Sequence, residues 1–320
     1  MLPSLGFAQQ IYKQVGAYNL PGEGFWDYLT FDPVGQRLFV THNTAIYVVD
    51  PQGKMLGEIP ASGAHGVALV QDEGLGFSTN GRAGTVTVFD LKTLKPIQDI
   101  KVSEGPDAII YDENSKHVIV MHGRSRSIEA INPGTKQVDA TVPDLGKLEF
   151  GAGGPGKVYV NVEDKGEIAV VDSSTWKLTT RWKLDGCEEP GGLAYDAKNN
   201  VLYSACGNSK MMVVDANTGK VLATVKTGDG TDEAAFDPGT GYAFASNGAD
   251  ADITVVHKTG NSWDVAENVS TMKSARTMAV DTKTHNLYTV GADFDPPAPG
   301  ERRGKMKPGT FKLLVYSLAK

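Results

Sequence analysis

Along this chain, short apolar runs alternate with polar residues and recur at nearly even intervals. One pattern appears seven times and ends in aspartate or a polar substitute: IYVVD at 46–50, VTVFD at 86–90, SIEAIN at 127–132, IAVVD at 168–172, MMVVD at 211–215, ITVVH at 253–257 and LLVYS at 313–317. Their end points, Asp50, Asp90, Asn132, Asp172, Asp215, His257 and Ser317, lie 40, 42, 40, 43, 42 and 60 residues apart. Short runs rich in β-branched and aromatic residues, bounded by turn formers, predict strands rather than helices. A period in the low forties built from such strands predicts sheet units that must stack on neighbours to bury their faces.

Each repeat carries an upstream half, as in DYLTFDPVGQRLFVTH at 27–42, DAIIYDENSKHVIVMH at 107–122 and GGLAYDAKNNVLYSAC at 191–206. In each, an apolar strand ends near aspartate, a Gly/Asn/Pro turn follows, and a Val/Tyr/Phe-rich strand returns. A further turn follows the VVD strand, as in DPQGKMLGEIP and DANTGKVLATV, which brings the count to four strands per repeat. The reading is an all-β, seven-bladed β-propeller of four-stranded antiparallel blades. The seventh repeat stops after its third strand, whereas Ile11–Leu20 looks like a fourth-strand segment. The N-terminal strand is therefore expected to complete the last blade and close the ring, which removes exposed sheet edges. Residues 11–320 read as one domain with a loop insertion at 292–311, and residues 1–10 as a signal remnant or a disordered terminus.

The chain has 320 residues, 40% of them hydrophobic, a net charge of −7 and a pI near 5.4. An excess of acid argues against a nucleic-acid partner, because phosphate binding needs concentrated positive charge. No stretch approaches the roughly 20 apolar residues of a membrane span, and the expectation is a monomer. The opening MLPSLGFA, with small residues Gly6 and Ala8 before Gln9–Gln10, reads either as the tail of a secretory signal or as an ordinary frayed terminus. Export to the periplasm or beyond is the expectation. The two cysteines, Cys187 and Cys206, both fall in repeat five. A disulfide, two separate thiols, and a metal site shared with Met211 and Met212 are all open readings.

The second strands, with Phe39-Val40-Thr41-His42 and Leu287-Tyr288-Thr289-Val290, and the I-x-V-V-D third strands resemble the YVTN repeat of YncE-like seven-bladed propellers. The resemblance covers Ile11 to Tyr316. It departs from the motif at His42 where the repeat has Asn, at Ser78-Thr79-Asn80, and in the irregular GAGGPGKVYVNV at 151–162. It implies secreted, periplasmic or surface proteins, many without a known activity; related seven-bladed folds include sugar-lactone hydrolases and a lyase.

In a propeller, loops joining a fourth strand to the next first strand share one face with loops joining second to third strands, and residues from every blade converge there at the channel mouth. Ligand-binding candidates on that face are Trp26, Asp27, His42, His65, Arg82, Asp107, His122, Arg124, Glu188, Glu189, Asp232, Glu233 and Arg276. Arg126 lies in the same stretch, and Asp250, Asp252, Asp293 and Asp295 follow on the acidic side. One half of the mouth is rich in His and Arg and the other is acidic. Such a split suits a dipolar or partly anionic ligand whose carboxylate or phosphate meets the arginines. His42, His65 and His122, converging with Asp27, Asp107 or Glu149, are candidate ligands for a divalent metal (Ca, Mg or Zn). Against this stands the plain reading of polar loop residues that cap strands or meet solvent, and no local HxxxH spacing supports the metal. Trp26 either stacks on a ligand or packs between blades one and two. GAGGPG at 151–156 lacks the Lys-Ser/Thr of a phosphate loop, and neither GxSxG nor HExxH occurs.

The insertion, ADFDPPAPGERRGKMKPGTF, is expected on the ligand face as a flap or partner-contacting arm, with Arg302, Arg303, Lys305 and Lys307 supplying positive charge, or as a solvated excursion. Two functions are carried forward: an exported, non-catalytic propeller that binds a small molecule or protein at the mouth, and a metal-assisted hydrolase or lyase acting there on a lactone or sugar acid. No complete catalytic constellation is visible, which favours the first.

Overall fold

The structure, a computed structural model, describes residues 10–300 and 304–319. The apolar opening at 1–9, Arg302 and Arg303 lie outside the described residues. Seven four-stranded antiparallel sheets stand in a ring, and no α-helix occurs among the described residues. The innermost strands of the blades are Trp26–Asp32, Ala64–Val70, Pro106–Asp112, Leu148–Gly154, Pro190–Asp196, Thr231–Asp237 and Met278–Asp281. Closure is as expected: the N-terminal strand Tyr12–Asn19 pairs antiparallel with Lys312–Leu318, so the seventh blade takes its outer strand from the other end of the chain.

Burial follows from this stacking. Second and third strands are covered on both faces by neighbouring blades, and Leu75–Asn80 and Ala45–Val49 are buried at every position. That is why the VVD-type strands read as nearly continuous apolar runs. Outer strands face solvent on one side, so Val221–Lys226 and Gln137–Val142 alternate. The core is distributed as seven clusters, one at each blade interface. Phe39, Ile46 and Phe89 lie between blades one and two, and Tyr12, Phe244 and Tyr316 between six and seven.

The inner strands share one irregularity that shapes the mouth. In six blades the first residue pairs with the end of the second strand, and the register then shifts, as between Trp26 and Leu29 or Pro106 and Ile109. A bulge leaves the intervening residues outside the ladder and re-aims their side chains. Those residues occupy the channel entrance.

Candidate functional site

The bulge in six blades, and the stretch just before the shorter inner strand of blade seven, give a ring of seven corresponding positions. Counting back five residues from the last residue of each inner strand gives Asp27, His65, Asp107, Glu149, Gly191, Asp232 and Arg276. Identical backbone placement thus presents four carboxylates, one imidazole, one guanidinium and one glycine around a single opening.

His65 and Arg276 organise this ring. His65 Nδ1 hydrogen-bonds Asp27 Oδ2 at 2.7 Å and lies 3.3 Å from Asp107 Oδ1. Burial by itself would favour neutral His65, but the Asp27 hydrogen bond and the Asp107 charge outweigh it and raise its pKa. Arg276 is half-buried and bridges the blades on either side of its own: its Nη2 reaches the Trp26 carbonyl at 2.7 Å and Asp27 Oδ1 at 3.3 Å, and its Nε reaches Asp232 Oδ2 at 2.7 Å. Its guanidinium also lies 5.1 Å from the Phe25 ring centroid and 5.8 Å from that of Trp26.

The carboxylates have fewer partners than charges. The side-chain carboxyls of Asp107 and Glu149 accept no hydrogen bond among the described residues, although the Asp107 backbone carbonyl accepts one from the Thr79 hydroxyl. Burial, partly offset by His65, lifts Asp107 to about 6, with Asp27 and Asp232 adding to the rise. Burial together with Asp107, Asp232 and Glu163 pushes Glu149 up to about 9. Glu233, buried beside the ring, accepts the Met278 N–H at 2.6 Å, and burial above all pushes its pKa well above the usual carboxylate range.

Open space is divided unevenly. Beside blades one to three lies a cleft of about 610 Å³ lined by His65, Asp107, Arg82, Arg124, Lys147 and four rim glycines. The Arg82 side chain makes no ion pair or hydrogen bond among the described residues, and Arg124 approaches only Glu104, at 3.6 Å between two exposed groups. Lys147 pairs with Glu163. Across the ring, Glu149, Glu163, Glu189 and Asp232 line a crevice of about 90 Å³ between blades four and six. Glu188 and Glu189 are exposed on its rim, beside a disulfide between Cys187 and Cys206 with a Cα–Cα distance of 5.4 Å.

Two of the three histidines do not join the site, so the His42/His65/His122 set of metal ligands is corrected. His42 is buried 4.7 Å from the Tyr47 ring and 4.9 Å from that of Phe311, and burial lowers its pKa. His122 is fully buried 3.3 Å from Glu129 Oε2. Both end second strands, whose side chains face neighbouring blades rather than the channel. The one grouping of metal-capable side chains among the described residues is Asp27, His65 and Asp107, with donor atoms within 4.8 Å of one another. Arg126 is turned outward to Asp164, and Asp250 and Asp252 are held by the Asp229 N–H and the Asn247 amide. Asp293 and Asp295 are exposed at the base of the insertion.

Trp26 is also corrected: it packs between blades one and seven, with Phe294 at 5.8 Å and Phe311 at 5.1 Å, and not against blade two. Through Phe294 and Met306, which pair as an isolated bridge, the described part of the insertion roofs a cleft of about 410 Å³ on the mouth face with Phe25, Trp26 and Arg276. Lys305 lines this cleft, while Lys307 is exposed. Sequence reasoning left Lys147, Glu163 and Phe25 out of the site. The position five residues before each inner-strand end was the available signal for the ring.

No family model matches the chain, and no curated protein matches it in sequence. Solved structures do match in fold. The WD40 repeats of RRP9 superpose with a TM-score of 0.81 at 10% identity, covering 97% of this chain and 99% of that one. U3-55K gives 0.79 at 10% identity, covering 95% and 98%. Kuenenia stuttgartiensis hydrazine synthase gives 0.71 at 14% identity, covering 90% and 95%. At these identities the likeness is one of architecture: the chain is a seven-bladed β-propeller with WD40-like structural neighbours.

Proposed function

We propose that this protein is an exported, YncE-like propeller that binds a small anionic or dipolar molecule at the channel mouth without transforming it. The observation that carries the reading is the 610 Å³ cleft on blades one to three, where the unpaired Arg82 and the loosely held Arg124 stand over His65. A guanidinium without a carboxylate partner retains its full capacity for bidentate contact with a carboxylate or phosphate. The His65 ring edge supplies a further donor at the cleft floor. The Cys187–Cys206 bond supports export, since disulfides persist in oxidising compartments. The I-x-V-V-D strands support the YncE-like reading.

The test is thermal unfolding against sugar acids, dicarboxylates and sugar phosphates. A ligand at 100 times its dissociation constant stabilises by about 2.7 kcal/mol, and Arg82→Ala with Arg124→Ala should remove that shift without altering the unliganded protein. If no anion stabilises the protein, or the double variant responds like the parent, the reading fails. A second reading, metal-assisted hydrolysis or elimination on a lactone or sugar acid, is favoured by the placement of His65 between two carboxylates. Turnover of lactones that depends on added metal would support it over simple binding.

A further inference from the structure

We propose that Asp27, His65 and Asp107 form a binding site for a first-row divalent cation such as Zn²⁺ or Mn²⁺, with open coordination positions facing the 610 Å³ cleft. The three donors come from equivalent positions on consecutive blades, so the ring itself sets their spacing. His65 Nδ1 lies 2.7 Å from Asp27 Oδ2 and 3.3 Å from Asp107 Oδ1. Donors bound at about 2.0–2.2 Å around a tetrahedral ion lie roughly 3.3 Å apart. Small side-chain adjustments therefore convert the present contacts into a coordination shell.

Hydrogen bonding gives an independent argument. Nδ1 carries at most one hydrogen, and the Asp27 contact uses it. The Asp107 carboxylate is left with a 3.3 Å approach to the same nitrogen and no hydrogen bond among the described residues. A half-buried carboxylate without a donor is costly, and a shared cation satisfies Asp27, His65 and Asp107 together. The charges around the site agree: Asp27, Asp107 and Asp232 face Arg276 and a Lys147 already paired with Glu163. Arg276 meets Asp27 through Oδ1 and leaves Oδ2 for the cation, orienting the carboxylate as hydrogen-bonded partners orient metal ligands.

The donor set selects the cation class. Imidazole suits zinc, manganese and their neighbours, whereas calcium and magnesium prefer all-oxygen shells. With three protein donors, at least one position stays open toward Arg82 and Arg124. This part of the inference rests on the proposed binding function: a carboxylate or phosphate ligand would meet the cation with one oxygen and the arginines with others.

Calorimetry on the chelator-treated full chain with ZnCl₂, MnCl₂, CaCl₂ and MgCl₂ tests the site. The expected result is one saturable Zn²⁺ or Mn²⁺ per chain, at least tenfold weaker in Asp107→Asn and lost in His65→Ala, with His257→Ala on an outer surface unchanged. Asp107→Asn is the decisive variant should His65→Ala misfold, because the Asp107 carboxylate supports no hydrogen bond among the described residues. Absence of saturable Zn²⁺ and Mn²⁺ binding overturns the proposal, as does binding indifferent to Asp107→Asn, or a preference for Ca²⁺. If cations fail while anions still stabilise the chelated protein through Arg82 and Arg124, the binding reading stands and the metal site falls. If Zn²⁺ or Mn²⁺ binds as expected and no anion does, the reverse holds.

Discussion

The two halves of the channel mouth share one backbone and differ in almost everything that side chains decide. On blades one to three the entrance widens into a 610 Å³ cleft with Arg82, Arg124 and Lys147 on its walls; on blades four to six it narrows to a 90 Å³ crevice among Glu149, Glu163, Glu189 and Asp232. Gly191 marks the difference. It is the one ring position without a side chain, and a Cβ there would meet the Asp232 carbonyl at 2.9 Å. Blades five and six approach closely because of that glycine, and the Cys187–Cys206 bond fastens the adjoining loop. Arg276 belongs to neither half: it ties Asp27 on one side to Asp232 on the other. A repeat fold therefore builds asymmetry from ring residues, while its blades remain nearly interchangeable.

The sharpest way to break this contrast is to remove the tie. Arg276→Ala leaves Asp27 and Asp232 without their shared cation, and breaking these half-buried pairs costs about 3 kcal/mol, the lower end of the range for buried pairs. Denaturant unfolding measures it, and a loss below about 1 kcal/mol would show that the halves do not depend on the bridge. Next comes the fastening of the narrow half. Replacing both Cys187 and Cys206 by serine releases a cross-link across 19 residues of sequence, worth roughly 3 kcal/mol for a loop of this size. The same loss should appear on reduction of the parent protein and be absent from the variant.

A smaller effect separates the halves by pH. Glu149, raised to about 9 in the fold against about 4.5 when unfolded, keeps its proton in the folded state across that window. The folded state then binds more protons, so stability falls as pH rises from about 4.5 to about 9. Glu149→Gln should flatten this slope and raise stability at pH 8 relative to the parent. An unchanged slope in the variant would place the titration elsewhere. The smallest expected change in stability is at the wide half. Arg82→Ala should shift unfolding by less than about 0.5 kcal/mol, as is usual for exposed side chains without partners, and equilibrium unfolding without ligand checks it.

Much of this was legible before any coordinates. The VVD strands and the Ile11–Leu20 segment lead to seven blades and to closure by Tyr12–Asn19, because strand alternation and a fixed period are local properties. Asp27, His65, Asp107, Asp232 and Arg276, expected on the mouth face from the order of the loops, stand at corresponding ring positions in the structure. His42 and His122 went astray for a physical reason: a residue ending a second strand lies on the mouth face by topology, yet its side chain turns into the blade interface, where Phe311 or Glu129 receives it. Trp26 was referred to the wrong neighbour because the insertion that supplies Phe294 lies more than 260 residues away in sequence.

The sequence by itself determined the number of blades, the order of strands and the face on which charged residues gather, since each depends on periodicity and turn chemistry within some forty residues. Only the tertiary structure decided which charges meet. The bulge common to six inner strands and the lateral approach of blades around a closed ring set the 2.7 Å contacts of His65 and Arg276, and such distances arise between residues that no local pattern connects.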